Sequence, residues 1–215
     1  MIEAVVFDLD GVLLDSEQMW TDAKRELVGE HGGRWSEEAE HAMLGMSSPE
    51  WTRLMHDDLG VPLEPDEISD EVVRRIAARY EQHLPVLPGA DAAVRRFAAR
   101  WPLGMASSSN REIIDLTLSQ AGWDEFFTTT VSSEEVARGK PAPDVYLEAT
   151  RRLNAAPERC GAVEDSSAGI RAADAAGLRV IAIPNPGYPP DDESLALAAV
   201  VLESVHELDP AKLDE

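Results

Sequence analysis

Four stretches of the 215-residue chain carry side chains able to do chemistry. Asp8 and Asp10 stand in Asp8-Leu9-Asp10-Gly11, directly after the apolar run Ala4-Val5-Val6-Phe7. Ser107, Ser108 and Ser109 follow Leu103-Gly104-Met105-Ala106. Lys140 lies in Gly139-Lys140-Pro141-Ala142-Pro143-Asp144, and Glu164-Asp165 follows Cys160-Gly161-Ala162-Val163. A few carboxylates suit Mg²⁺, which is held by one or two of them and keeps several waters. A hydroxyl beside free backbone N–H groups, together with a lysine, suits a phosphate. Lysine is scarce: of 19 basic residues only Lys24, Lys140 and Lys212 are lysines. A lysine retained in so arginine-rich a chain is a candidate for a task that a guanidinium cannot perform, while base composition and chance cover two of the three.

These residues can meet only if the chain brings strand ends together. The apolar runs Ala4–Phe7, Leu103–Ala106, Phe126–Val131, Cys160–Val163 and Arg179–Ile183 read as buried strands. Helical patterns separate them over 90–100, Arg111–Gln120, Asp144–Leu153 and Ser166–Ala176. Strands alternating with helices of this length predict a doubly wound, parallel α/β sheet, whose sites form at the carboxyl ends of the strands. After the first strand the pattern is helical only. It opens at Ser16, an expected N-cap with Glu17 in the first turn, and no strand is convincing before Pro85. The reading is therefore a sheet domain of residues 1–15 and 85–215 with an all-helical insertion over 16–84.

Composition narrows the function. With 41 acidic against 19 basic residues the net charge is -22, which disfavours nucleic acid and anionic lipid as partners. One cysteine, Cys160, excludes a disulfide scaffold and a cysteine zinc site. No apolar run approaches the ~18 residues of a membrane span, and the N-terminus does not read as a signal peptide. A cytoplasmic monomer is expected. Asp8-x-Asp10-Gly11 could open a calcium loop, but Val12 and Leu13 fall where that loop needs an oxygen ligand and a glycine. Singly, each remaining group has an ordinary reading: a serine turn, a surface lysine, an acidic helix cap. Jointly, in order and at one sheet edge, they form a site.

Together the four segments resemble the ordered motifs of the haloacid dehalogenase (HAD) superfamily. Residues 8–17, Asp-Leu-Asp-Gly-Val-Leu-Leu-Asp-Ser-Glu, match the first motif; Ser107, Lys140 and Glu164-Asp165-Ser166 match the other three. The helical insertion resembles the C1-type cap. Asp15-Ser16-Glu17-x-x-Trp20 is similar to phosphatases of the β-phosphoglucomutase and sugar-phosphate phosphatase branch. The resemblance implies a Rossmann-like HAD core and a Mg²⁺-dependent hydrolase of a small sugar or polyol phosphate, acting through an aspartyl-phosphate. Asp8 would be the nucleophile, and Asp10 the acid and then the base. Asp8, the carbonyl of Asp10 and Asp165 would hold Mg²⁺, with Glu164 in or near its shell. Ser107, the Ser108 amide and Lys140 would bind the phosphoryl oxygens.

Within the superfamily, dehalogenases expel halide and generally lack the second aspartate, whereas Asp10 is present. Phosphonatases form a Schiff base on a cap lysine; only Lys24 is available, and Gly11-Val12 departs from their pattern. β-Phosphoglucomutases carry a histidine where Trp20 stands and a cap-loop arginine in the stretch matching Gly45–Glu50, which has none. Arg53 is the nearby basic candidate for a second phosphate. Hydrolysis is therefore expected, with a mutase-like phosphotransferase and a non-catalytic binding protein as alternatives. Ser47, Ser48 and Glu50 from the cap loop, and Ser109 and Asn110 from the core, are expected to contact the sugar. Trp20, Trp35 and Trp51 read as cap core, and the five histidines form no ligand pair.

Overall fold

The computed structural model describes residues 1–43 and 45–213. Six parallel strands form one sheet in the order β3-β2-β1-β4-β5-β6: β1 Ala4–Phe7, β2 Leu103–Ser107, β3 Phe127–Ser132, β4 Cys160–Glu164, β5 Arg179–Ala182 and β6 Val200–Val201. The helices are α1 Glu17–Glu30, α2 Glu37–Ala42, α3 Ser48–Asp57, α4 Pro65–Gln82, α5 Ala90–Ala98, α6 Arg111–Ala121, α7 Asp144–Arg152, α8 Ser167–Ala175 and α9 Asp192–Leu195. The doubly wound parallel α/β architecture expected from the sequence is present. The sixth strand was not foreseen. It has two residues, and Val201 is half exposed, so no apolar run marks it.

Why β1 is a continuous apolar run follows from its position. It lies at the centre of the sheet, between β2 and β4, and is covered on both faces. Val5 and Phe7 join the core shared with α5, α6 and the inserted helices, while Ala4 and Val6 join that of α7 and α8. The register pairs Phe7 with Met105 and with Val163, so β1, β2 and β4 end nearly level. Asp8, Ser107 and Glu164-Asp165 are thereby delivered to one edge.

Helices α1 to α4 fill the chain between β1 and α5. Both α1 and α3 pack on α4, and α4 also contacts α6 of the sheet layer. Arg75 and Arg79 of α4 reach Glu30 and Glu26 of α1, each at 2.6 Å. The inbound and outbound chains pair with each other: Asp15 N–H donates to the Pro85 carbonyl at 2.8 Å and Leu87 N–H to that of Leu13 at 2.9 Å. Ser16 stands at the N-cap of α1, but its backbone is helical (φ -106°, ψ -17°) and its hydroxyl makes no cap bond.

Candidate active site

Asp8 leaves β1 and faces the loop before α7, where the Lys140 ammonium donates to Asp8 Oδ1 at 2.7 Å and to Glu164 Oε1 at 2.6 Å. All three side chains are almost fully buried. The Tyr146 hydroxyl also donates to Glu164 Oε1, at 2.7 Å. The other oxygen, Oε2, accepts from Asp165 N–H, Ser166 N–H and the Ser166 hydroxyl at 3.0, 3.3 and 3.2 Å. Glu164 thus accepts hydrogen bonds at both oxygens, from Lys140 and Tyr146 on one side and from the start of α8 on the other. Two glycines make room for this packing. A Cβ on Gly169 would lie 1.8 Å from Glu164 Oε1, and one on Gly11 would lie 1.9 Å from Asp165 Oδ2. Gly11 also takes a φ of +80°, which other residues rarely adopt.

Electrostatically this is a site short of positive charge. Burial raises the Asp8 carboxyl most, Lys140 pulls it back and Glu164 pushes it up again, to about 8. Asp165 is raised well above the carboxylate range by burial, then by Glu164 and Asp8. Burial opposes the Lys140 charge, but Asp8 and Glu164 outweigh it and keep the ammonium protonated. Tyr146 is likewise raised, by burial and then by Glu164, so it remains a donor. Asp8, Glu164 and Asp165 bring carboxylate oxygens within 4.8 Å of one another, as a shared metal ion requires. The Asp165 carboxylate is buried and accepts no hydrogen bond from the described residues. A buried, unpartnered anion beside a second carboxylate fits a divalent cation, which would displace the protons these groups otherwise retain.

Asp10 has a different setting. Its Oδ1 accepts from the Ser16 hydroxyl at 2.5 Å and its Oδ2 from the Ser109 hydroxyl at 2.6 Å. Its side chain is outside the three-carboxylate group; only its main chain remains for a cation. Above these residues a cleft of about 470 Å³ opens between the strand ends and the inserted helices, with Asp8, Asp10, Ser108, Lys140 and Asp165 on its floor.

The remaining expected contacts are distributed as follows. Ser108 lines the cleft and donates to the Gly45 carbonyl at 3.3 Å. The Ser107 hydroxyl is fully buried and accepts from Ser109 N–H at 3.0 Å, which fixes the turn after β2. Ser109 borders the cleft with its hydroxyl spent on Asp10. Asn110 is a clamp between layers: it accepts from the Ser48 hydroxyl at 2.9 Å and donates to Ser69 and Glu134 at 3.2 and 2.7 Å. Glu50 is exposed and accepts from the amide and hydroxyl of Ser47 at 2.8 and 2.6 Å, closing the first turn of α3. Among the described residues the cleft lining does not include Ser47, Ser48, Glu50 or Arg53, and Arg53 is exposed. Sequence reasoning missed Ser16 as a partner of Asp10, Tyr146 behind Glu164, and Glu17 and Lys24 on the cleft wall. The scarcity of lysine was the one signal that pointed at Lys24.

Comparison with known proteins defines the class. The model for haloacid dehalogenase-like hydrolases matches residues 2–177. This chain belongs to that family. Hexitol phosphatase B of Escherichia coli is 32% identical over 217 residues, 96% of this chain and 94% of that protein. The bifunctional riboflavin kinase/FMN phosphatase of Arabidopsis thaliana is 34% identical over 183 residues, 84% of this chain. The chain spans only 48% of the length of that relative. Among solved structures, CbbY from Rhodobacter sphaeroides in complex with phosphate covers 100% of both chains with a TM-score of 0.86 at 31% identity. Among the described residues no helix is long and apolar enough to cross a membrane.

Proposed function

We propose that this protein is a Mg²⁺-dependent phosphatase of small sugar or polyol phosphates. The observation that carries the reading is the buried set of Asp8, Lys140 and Asp165, with Lys140 bonded to Asp8 at 2.7 Å and Asp165 left without a donor. The Asp8 carboxylate attacks phosphorus and the ester oxygen leaves, forming an aspartyl-phosphate. Asp10, steadied by Ser16 and Ser109, gives its proton to the departing alkoxide. It then takes a proton from the water that hydrolyses the acyl phosphate. Lys140 and the Ser108 amide neutralise the phosphoryl oxygens, while buried Ser107 shapes the turn that presents that amide. Mg²⁺, held by Asp8, Asp165 and the Asp10 carbonyl, would supply the charge that lets an anionic nucleophile approach a phosphate dianion.

The helical segment 16–84 acts in this reading as a cap over a core of 1–15 and 85–215. Its two connections, paired through Asp15 and Pro85, are where it would hinge. A similar protein bearing the name hexitol phosphatase B supports the polyol class. Arg53, the basic residue a second phosphate would call for, is exposed and off the cleft lining, which supports hydrolysis over mutase chemistry. The test is inorganic phosphate release from a panel of sugar and polyol monophosphates. Release should stop with EDTA, return with Mg²⁺ and be absent in Asp8→Asn. Full turnover in metal-free buffer, or by Asp8→Asn, would overturn the reading.

A further inference from the structure

Lys24 lies on α1 with 8% of its surface exposed, and its ammonium sits 5.7 Å from the ring centre of Trp20 and 5.1 Å from that of Trp51. It lines the same cleft as Asp8 and Asp10. No described residue accepts a hydrogen bond from it or forms an ion pair with it. The two indole faces attract the charge but offer no acceptor, so its three N–H donors are unspent. A buried ammonium with no acceptor is costly to keep. Glu17, about two α-helical turns earlier, lines the same cleft and also has no hydrogen bond or ion pair with the described residues. Burial lowers Lys24 to about 8, with Glu17 and Asp10 opposing that fall. Burial also raises Glu17 to about 7, with Asp10 pushing it the same way and Lys24 against it.

The other cations lining the cleft are engaged elsewhere. Lys140 is held by Asp8 and Glu164, and Arg171 pairs with Asp191 at 2.8 Å. Among the described residues lining the cleft, Lys24 is thus a cation without an acceptor and Glu17 an anion without a donor. A second phosphate or carboxylate on the substrate would face Lys24 but would also meet Glu17 and Asp10. Hydroxyls satisfy both partners at once, because each accepts from the ammonium and donates to the carboxylate.

We infer that Glu17 and Lys24 form the leaving-group subsite, and that it takes the hydroxyls of a neutral polyol chain rather than a second anionic group. This inference rests on the phosphatase reading for the position of the phosphate. The test compares the wild type, Lys24→Met and Glu17→Gln on a hexitol 6-phosphate, n-hexyl phosphate and a hexitol 1,6-bisphosphate. Phosphate release from any probe by the wild type registers the phosphatase reading; the hexitol-to-hexyl ratio of kcat/KM registers the subsite. Wild type should favour the hexitol monophosphate at least tenfold, and each variant should cut that ratio at least fivefold. Calorimetric titration of the same probes, with Mg²⁺ present, reports the ratio as Kd even if nothing is hydrolysed. A ratio unchanged in both variants would overturn the inference. A wild-type preference for the bisphosphate, lost in Lys24→Met, would also overturn it and make Lys24 a second-phosphate ligand.

Discussion

Replacing Gly169 by alanine should destabilise this protein even though alanine is the better helix former. In helix α8 the added methyl carbon would lie 1.8 Å from Glu164 Oε1, 1.9 Å from its Cδ and 2.1 Å from Oε2. Favourable contact needs roughly 3.5 Å, so the carboxylate must retreat by more than an ångström. Its bonds from Lys140 and Tyr146, at 2.6 and 2.7 Å, cannot survive that movement. Each bond to a charged group is worth about 1.5–3 kcal/mol, and a buried charge that loses its partners costs about 3–5 kcal/mol. The helical preference for alanine returns about 0.5–1 kcal/mol. The net loss is about 2–5 kcal/mol, which lowers Tm by roughly 5–20 °C in a chain of this size. Gly29, near the end of α1, is the control, because nothing lies within 4 Å of its added Cβ. Gly29→Ala should raise Tm by about 1–4 °C. Scanning calorimetry of both variants decides the matter. If Gly169→Ala melts at or above wild type, Glu164 is not held as described.

Three further outcomes follow from the same contacts. Asp10→Asn should slow phosphoenzyme formation from an alkyl phosphate by about 10²–10⁴-fold and from an aryl phosphate much less, as rapid-quench measurement of that first step would show; equal losses in phosphoenzyme formation would remove Asp10 as the acid. Ser16→Ala, which leaves Asp10 only its bond from Ser109, should lower kcat for an alkyl phosphate by less than the loss in Asp10→Asn, as steady-state kinetics of the two variants would show. Bonds from Arg151 and Arg152 lower the Glu148 carboxyl to about 2 from an ordinary 4.5. Such a group stabilises the fold above its unfolded value and loses that contribution as pH falls toward 2, so Glu148→Gln should lower the urea midpoint at pH 7 and leave it unchanged near pH 2.

What the sequence revealed and what it withheld have physical reasons. Asp8, Lys140 and Glu164-Asp165 were legible because a parallel sheet delivers strand ends to one edge, whatever the details of packing. The inserted helices were legible as helices from their apolar period. That period identifies a buried face, but not which buried residue borders a cleft; Trp51 and Lys24 are both buried, and both line it. Short polar side chains were the least readable. Ser47, Ser109 and Asn110 each find a partner within the protein, and those choices depend on distances of tenths of an ångström. Ser16 shows the same point: its position at the start of α1 was correct, but its helical backbone turns the hydroxyl to Asp10 instead of the helix amides. Nothing in the residue types distinguishes those outcomes.

The most direct test of the account is chemical trapping of the residue that carries the phosphoryl group. Enzyme turning over a polyol phosphate with Mg²⁺ would be quenched in acid and reduced with borohydride, which converts an aspartyl-phosphate to homoserine. Peptide mass spectrometry would then read position 8. Homoserine is expected at position 8, absent without substrate and absent in Asp8→Asn. Steady phosphate release with Asp8 recovered intact, or with the label on another residue, would contradict it.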